Sequence, residues 1–196
     1  MSGTLIYLIG PSGSGKDSLL QAAAPALTAR GCRIARRVIT RSAEAMGEDA
    51  LAVTLEQFDA LQAQGAFALS WRANGLAYGL PKQIDAWLAD GDDVLVNGSR
   101  AHLGAAQEKY PGLLVVLLRV EDAVLRQRLL ARGREGVEDI EARLGRNAQF
   151  QAELAAWARS SLKLHVLDNS GPLAHTVTQL LGVLGDAHVA AASIQR

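Results

Sequence analysis

An apolar run, LIYLI (Leu5–Ile9), leads straight into GPSGSGKDSLL (Gly10–Leu20), and this junction limits the chain to few folds. Further on, LLVVLLRV, without polar alternation until Arg119, predicts a central strand buried on both faces, and the apolar run here predicts a strand near Thr4–Ile9. The glycines that follow let backbone N–H groups close around an anion, and the next helix adds its unpaired N–H groups and positive dipole end. Lys16 places an ammonium where the β- and γ-phosphates of a nucleoside triphosphate belong. The spacing predicts an ATP-binding loop made of Gly10, Pro11, Ser12, Gly13, Ser14, Gly15, Lys16, Asp17 and Ser18.

One position departs from the usual loop, which has a hydroxyl directly after the lysine. Here Asp17 stands there, followed by Ser18. Two readings remain open. Either the carboxylate has moved into the loop as a Mg2+ ligand, or Ser18 supplies the hydroxyl and Asp17 only favours the helix dipole. Both put an oxygen donor beside the phosphates, so Mg2+ is the expected metal and ATP the expected co-substrate.

Downstream, β-rich runs alternate with helical patterns, the signature of an α/β fold with a parallel sheet flanked by helices. Strands are expected near residues 4–9, 36–40, 67–71, 94–97, 113–120 and 164–167. Helices are expected over 16–29, 55–64, 81–89, 100–109, 121–132, 137–159 and 174–184, with Pro81 in a first helical turn. Residues 1–185 form the expected kinase-type domain. Within it, about 42–77 reads as an acceptor-covering insertion, and the glycine-broken, charged stretch 131–139 as a mobile lid. Residues 186–196 read as a loose C-terminal tail.

Composition narrows the partners. The 196 residues carry 20 Lys and Arg against 20 Asp and Glu, so no charge footprint calls for nucleic acid or an anionic membrane. Small-molecule substrates are therefore expected, and a homodimer stays open. The single cysteine, Cys32, is compatible with a reducing cytoplasm, where a structural thiol is the default. The longest mid-chain apolar run, LLVVLL (Leu113–Leu118), is too short to span a bilayer. The four histidines share no metal or catalytic spacing.

Arginines carry the remaining chemistry. Arg128 and Arg132 lie four apart on one expected helix, Arg134 falls in the break, and Arg143 and Arg146 follow. Planar guanidinium groups stabilise the charge spread over a migrating phosphoryl group, so Lys16, Arg132 and Arg143 are the catalytic candidates. RRVITRS puts Arg37 and Arg41 around a strand end, and NGLAYG supplies Tyr78. DDVLVNGSR closes an apolar run on Asn97, which reads equally as a strand cap, a substrate donor or an indirect metal contact.

The order of the phosphate-binding loop, TR, a turn ending in YG, an arginine-bearing lid and a late LDN resembles guanylate kinase from Thr4 to about Gly185. The resemblance implies a guanylate-kinase-type fold in which Arg41 and Tyr78 hold the acceptor phosphate. Glu44 replaces that family's second arginine, Ser70 its base-reading glutamate, and VNGSR its DxD strand end. GPSGSGKDSLL, ALSWRANGLAYG, VLVNGSRAHL and RQRLLARGRE together resemble the ribose 1,5-bisphosphate phosphokinases. That likeness implies γ-phosphoryl transfer from ATP to ribose 1,5-bisphosphate, giving 5-phosphoribosyl 1-diphosphate and ADP. Arg41, Tyr78, Asn97 and Arg100 are the candidates for holding the sugar bisphosphate. A nucleoside monophosphate kinase and an inactive guanylate-kinase-like binding module are the rivals.

Overall fold

A computed structural model describes residues 3–41, 49–133, 136–157 and 163–193, with the backbone alone for 151–157 and 186–193. Contacts group the chain into two compact units, one of Met1–Leu8 with Ala23–Leu114 and one of Ile9–Ala22 with Val115–Arg196.

In the first unit, β1 (Leu5–Ile9, its last residue assigned to the second unit), β2 (Arg33–Ala35) and β7 (Val94–Asn97) run parallel, with β7 between the other two. All four residues of β7 are buried, as expected for an apolar run covered on both faces. The register pairs Leu8 with Asn97, so a polar residue stands where the strand ends. α3 (Gln83–Ala89) buries Ile84 and Leu88, and α4 (Leu103–Lys109) buries Leu103 and Ala106.

The same unit carries a second sheet of order β4-β3-β6-β5, made by β3 (Val38–Ile39), β4 (Leu51–Ala52), β5 (Phe67–Ala73) and β6 (Leu76–Pro81). Asn74 and Gly75 join β5 to β6 with φ of 52° and 74°. Two consecutive positive φ values are what a tight hairpin needs, and Asn-Gly is the pair that adopts them most cheaply. α2 (Leu55–Ala63) starts on a capping box: Thr54 accepts from the Gln57 N–H, and the Gln57 side chain accepts from the Thr54 N–H. Val38, Phe58 and Ala77 form a small core of their own.

In the second unit, α1 (Lys16–Ala29) begins where the glycine loop ends, and its first turns, through Ala22, belong to this unit. β8 (Leu114–Arg119) neighbours β9 (Lys163–Asp168). α5 (Asp122–Arg132) packs on α6 (Val137–Trp157) through Val120, Leu125, Leu129, Ile140 and Leu144. α7 runs over Leu173–Ser193.

Several sequence expectations change. The strand expected at 36–40 is only the two residues of β3, and a separate strand that was not expected, β2, precedes it in the other sheet. The stretch 42–77 holds β4, α2, β5 and the start of β6, whose strands join β3 in one sheet ending at Pro81, and 42–48 lie outside the described residues. Pro81 ends β6 instead of starting a helix. Residues 100–102 form a 3-10 turn ahead of α4. In the stretch 131–139, α5 stops at Gly133, whose φ of 61° gives a left-handed cap, and α6 starts at Val137; 134 and 135 lie outside the described residues. The loose tail expected from 186 is helical as far as Ser193, and 194–196 are not described.

Candidate active site

The glycine loop is built entirely within the second unit. Gly13 and Gly15 have φ of 90° and 91°, a region where a side chain is strained. Space reinforces the requirement, because a Cβ at Gly15 would lie 2.7 Å from the Asn169 amide nitrogen. The Lys16 ammonium donates to the carbonyls of Gly10 (2.9 Å) and Pro11 (3.2 Å), which arches its side chain back over the loop. The Ser14 N–H closes a turn on the Pro11 carbonyl at 3.1 Å. Ser14 itself is buried, and its hydroxyl makes no hydrogen bond among the described atoms.

Two side chains from outside the loop fix its backbone. The Asn169 amide donates to the Ser14 carbonyl at 2.8 Å, and its own oxygen accepts from the Thr176 hydroxyl at 2.8 Å. Arg128 donates to the Ser14 carbonyl at 3.5 Å and to the Asn169 carbonyl at 2.8 Å. Arg128 therefore supports the backbone of the loop through the Ser14 and Asn169 carbonyls. Asn169 was visible only as part of LDN, and nothing local in the sequence marks its partner 155 residues away. Before it, Asp168 accepts from Arg119 and from the Ser170 N–H. Hydrogen bonds from Ser170 and Arg119 lower its pKa to about 2, so the turn is held by a carboxylate charged throughout the physiological range.

Asp17 and Ser18 occupy the first turn of α1 and are both exposed. A carboxylate and a hydroxyl at this point are the oxygen donors that Mg2+ takes while keeping several of its waters. The pair thus fits a loop-bound Mg2+. No cluster of three metal-ligating His, Cys, Asp or Glu side chains occurs among the described residues.

Arg132 is exposed in the last turn of α5, and Arg143 is half-buried on α6. α5 is tied to α6 by an Arg126–Glu141 ion pair at 2.8 Å and by the buried Asn147, which donates to Asp122 at 3.2 Å. Arg146 is exposed, and Arg134 is not described.

The first unit gathers the acceptor candidates in two places. Arg41 lines a cavity of about 510 Å³ together with Thr40, Thr54, Gln57 and Gly75. The Thr40 hydroxyl accepts from the Ala77 N–H at 2.7 Å, anchoring the strand that carries Tyr78. Tyr78 stacks on Trp71 across the β5–β6 ladder, with centroids 5.5 Å apart and planes 10° apart. The Arg37 guanidinium lies over both rings, 5.0 Å from Tyr78 and 5.8 Å from Trp71. His102 tilts against the Trp71 ring at 5.7 Å, a packing role. Sequence reading included Arg37 and passed over Trp71, although W three residues before NG marks a strand position opposite the YG tyrosine.

Asn97 is 1% exposed at the end of β7. Beyond it, a Cβ at Gly98 would sit 2.4 Å from the Tyr7 ring, so only glycine lets the chain pass. The Tyr7 hydroxyl accepts from the Ser99 N–H at 3.0 Å and donates to the Ser99 carbonyl at 3.3 Å. Burial raises the Tyr7 pKa, partly offset by Ser99 and by the charge of Arg37. Arg100, half-buried, opens the 3-10 turn that follows. Cys32 is buried, and desolvation pushes its thiol up to about 12, in keeping with a structural role.

No family model matches the chain. Over 192 residues it is 68% identical to "Ribose 1,5-bisphosphate phosphokinase PhnN" of Pseudomonas fluorescens (strain SBW25), covering 98% of this chain and 100% of that protein. Proteins of the same name from Pseudomonas paraeruginosa and Azotobacter vinelandii are 66% and 60% identical, each covering 94% of this chain and 97% of the relative. Among solved structures, a guanylate kinase from Anaplasma phagocytophilum superposes with a TM-score of 0.69 at 19% identity, over 95% of this chain and 86% of that one. That likeness establishes the fold: α/β, of guanylate-kinase type.

Proposed function

The chain belongs to the ribose 1,5-bisphosphate phosphokinase family, and from that premise we propose how its residues divide the work of the reaction. It is an ATP-consuming phosphokinase that converts ribose 1,5-bisphosphate to 5-phosphoribosyl 1-diphosphate and ADP. An oxygen of the C1 phosphate forms the new bond to the γ-phosphorus, while the bond to the β–γ bridging oxygen breaks and its electron pair leaves with ADP. The nucleophile is already an anion at neutral pH, so no general base is required.

Gly10 to Ser18 bind the triphosphate, and Lys16 balances charge on the β- and γ-phosphates. Arg132 and Arg143 stabilise the migrating group. Arg41, Tyr78, Asn97 and Arg100 hold the sugar bisphosphate. The observation that carries the acceptor assignment is the β5 strand: Ser70 stands at the position matching guanylate kinase's base-reading glutamate, beside a Trp71 ring stacked on Tyr78. A purine reader needs buried polar partners there, and a site without them rejects the base.

An ADP-release assay offering ribose 1,5-bisphosphate, GMP and other nucleoside monophosphates in turn tests this. Specificity for ribose 1,5-bisphosphate is expected to exceed that for GMP by at least about 10³-fold. Comparable kcat/KM for the two would restore a nucleotide kinase, and no ADP release with any acceptor would point to an inactive binding module.

Asp17 or Ser18 would hold Mg2+, which would supply positive charge to offset the negative charge of the triphosphate. Asp17 also repels the triphosphate when no metal offsets its charge. Asp17→Asn is therefore expected to raise the Mg2+ concentration needed for half-maximal rate and to tighten ATP binding measured in EDTA. Unchanged metal dependence in Asp17→Asn, with collapse in Ser18→Ala, transfers the metal contact to Ser18. A cytoplasmic setting suits the one buried, unreactive thiol, and no described helix is long and apolar enough to cross a membrane.

A further inference from the structure

We propose that Arg37, carried on the faces of Tyr78 and Trp71, binds the C5 phosphate of the acceptor, the one that does not react, and so selects a sugar bisphosphate over a monophosphate. The assignment deepens the acceptor reading above and rests on it. A sugar with two phosphates presents two separate dianions, and one guanidinium cannot grip both. Arg41 stands on the 510 Å³ cavity with Thr40 and Thr54. Arg37 stands instead on an aromatic shelf, 5.0 Å from one ring centroid and 5.8 Å from the other. The two arginines bracket β3 in sequence and meet different surroundings.

The shelf explains why an arginine suits this station. A guanidinium laid on a ring face keeps its full charge and leaves its in-plane N–H groups directed along the edge, the geometry that matches phosphate oxygens. Its side-chain freedom is already reduced before the ligand arrives, so less entropy is lost on binding. Trp71 is 5% exposed and paired with Tyr78 in the ladder, so packing holds the shelf still. The charge of Arg37 also reaches the Tyr7 hydroxyl, which is bonded to Ser99.

Calorimetric titration of the wild type, Arg37→Met and Arg37→Lys with ribose 5-phosphate, ribose 1-phosphate and MgATP separates the possibilities. Loss of a charge-assisted contact to phosphate weakens ribose 5-phosphate binding in Arg37→Met by about 10- to 150-fold. Ribose 1-phosphate and MgATP are expected to bind as in the wild type, with Arg37→Lys intermediate for ribose 5-phosphate. In turnover of ribose 1,5-bisphosphate, KM rises while kcat stays within a few fold, because the unreactive phosphate is held alike in ground and transition states. Equal weakening of both monophosphates, or of neither, overturns the assignment. A wild type that binds ribose 5-phosphate through Arg37 and yet fails to turn over the bisphosphate would instead overturn the acceptor reading.

Discussion

Arg132→Ala and Arg143→Ala are each expected to lower kcat by about two to five orders of magnitude, the range spanned by losing a transition-state donor or an arginine finger. Arg132 sits in the exposed last turn of α5, just before a left-handed Gly133, where the helix ends and the chain can change direction. Arg143 is half-buried on α6, seven residues into a helix that α5 holds through Leu125, Leu129, Ile140 and Leu144. One arginine is thus on a helix end and the other on a firmly packed face. ATP affinity is expected to change far less than kcat, since the contact matures only as negative charge spreads over the migrating phosphoryl group. Single-turnover kinetics with saturating ATP measure this directly. A loss confined to KM would reduce these residues to ordinary ground-state binding. Arg126→Ala serves as the control: its ion pair with Glu141 is exposed, and pairs of that kind contribute at most about 1 kcal/mol.

Asn169→Leu is expected to destabilise the protein by about 2–3 kcal/mol and to weaken ATP binding, although the side chain lies outside the loop. Leucine keeps the branching at Cγ and removes every hydrogen-bonding atom, with bulkier methyl groups in place of the amide. It removes the only short side-chain donor to the Ser14 carbonyl among the described contacts, leaving Arg128 at 3.5 Å. It also removes the acceptor of the Thr176 hydroxyl, which keeps a weaker bond to the Asp168 carbonyl at 3.2 Å. Each buried polar group left unsatisfied costs about 1–3 kcal/mol, a large share of the few kcal/mol that hold a domain folded. With Ser14 released, the N–H groups that line the phosphate site lose their fixed direction. Arg128→Met should show the same two effects at smaller size, and the double variant should lose less than the sum, because both side chains hold one carbonyl. Urea unfolding and ATP titration together provide the readout. A change below about 0.5 kcal/mol, the range of neutral surface substitutions, with unaltered ATP binding, would remove Asn169 from the loop's support.

What could be read from the chain alone was what local chemistry dictates. LIYLI followed by GPSGSGK specifies strand, anion-binding turn and helix, because backbone N–H groups, positive-φ glycines and a lysine at that spacing have few other uses. The alternation of apolar runs with helical periodicity pointed to the parallel sheet, and Glu44, Ser70 and VNGSR separated this chain from guanine-specific relatives. Where several short strands met, the reading failed. Residues 36–40 look like one strand, yet only Val38 and Ile39 pair there and Arg33–Ala35 joins a different sheet, a choice made by the partner strands β6 and β7 rather than by the residues themselves. The Asn74-Gly75 hairpin was legible and was passed over as a plain turn.

Only the tertiary structure assigned Arg128 and Asn169 to the back of the loop, and only it set Arg37 on Trp71 and Tyr78. Arg128 and Arg132 share a helix face by spacing, but a guanidinium's role depends on which carbonyl or phosphate comes within reach. For Arg128 that carbonyl belongs to Ser14, 114 residues away. Sequence periodicity determines which face of an element is buried, because burial depends on the element's own repeat. It does not determine which polar groups meet, because a hydrogen bond is won or lost over a fraction of an ångström between segments whose approach the whole fold decides.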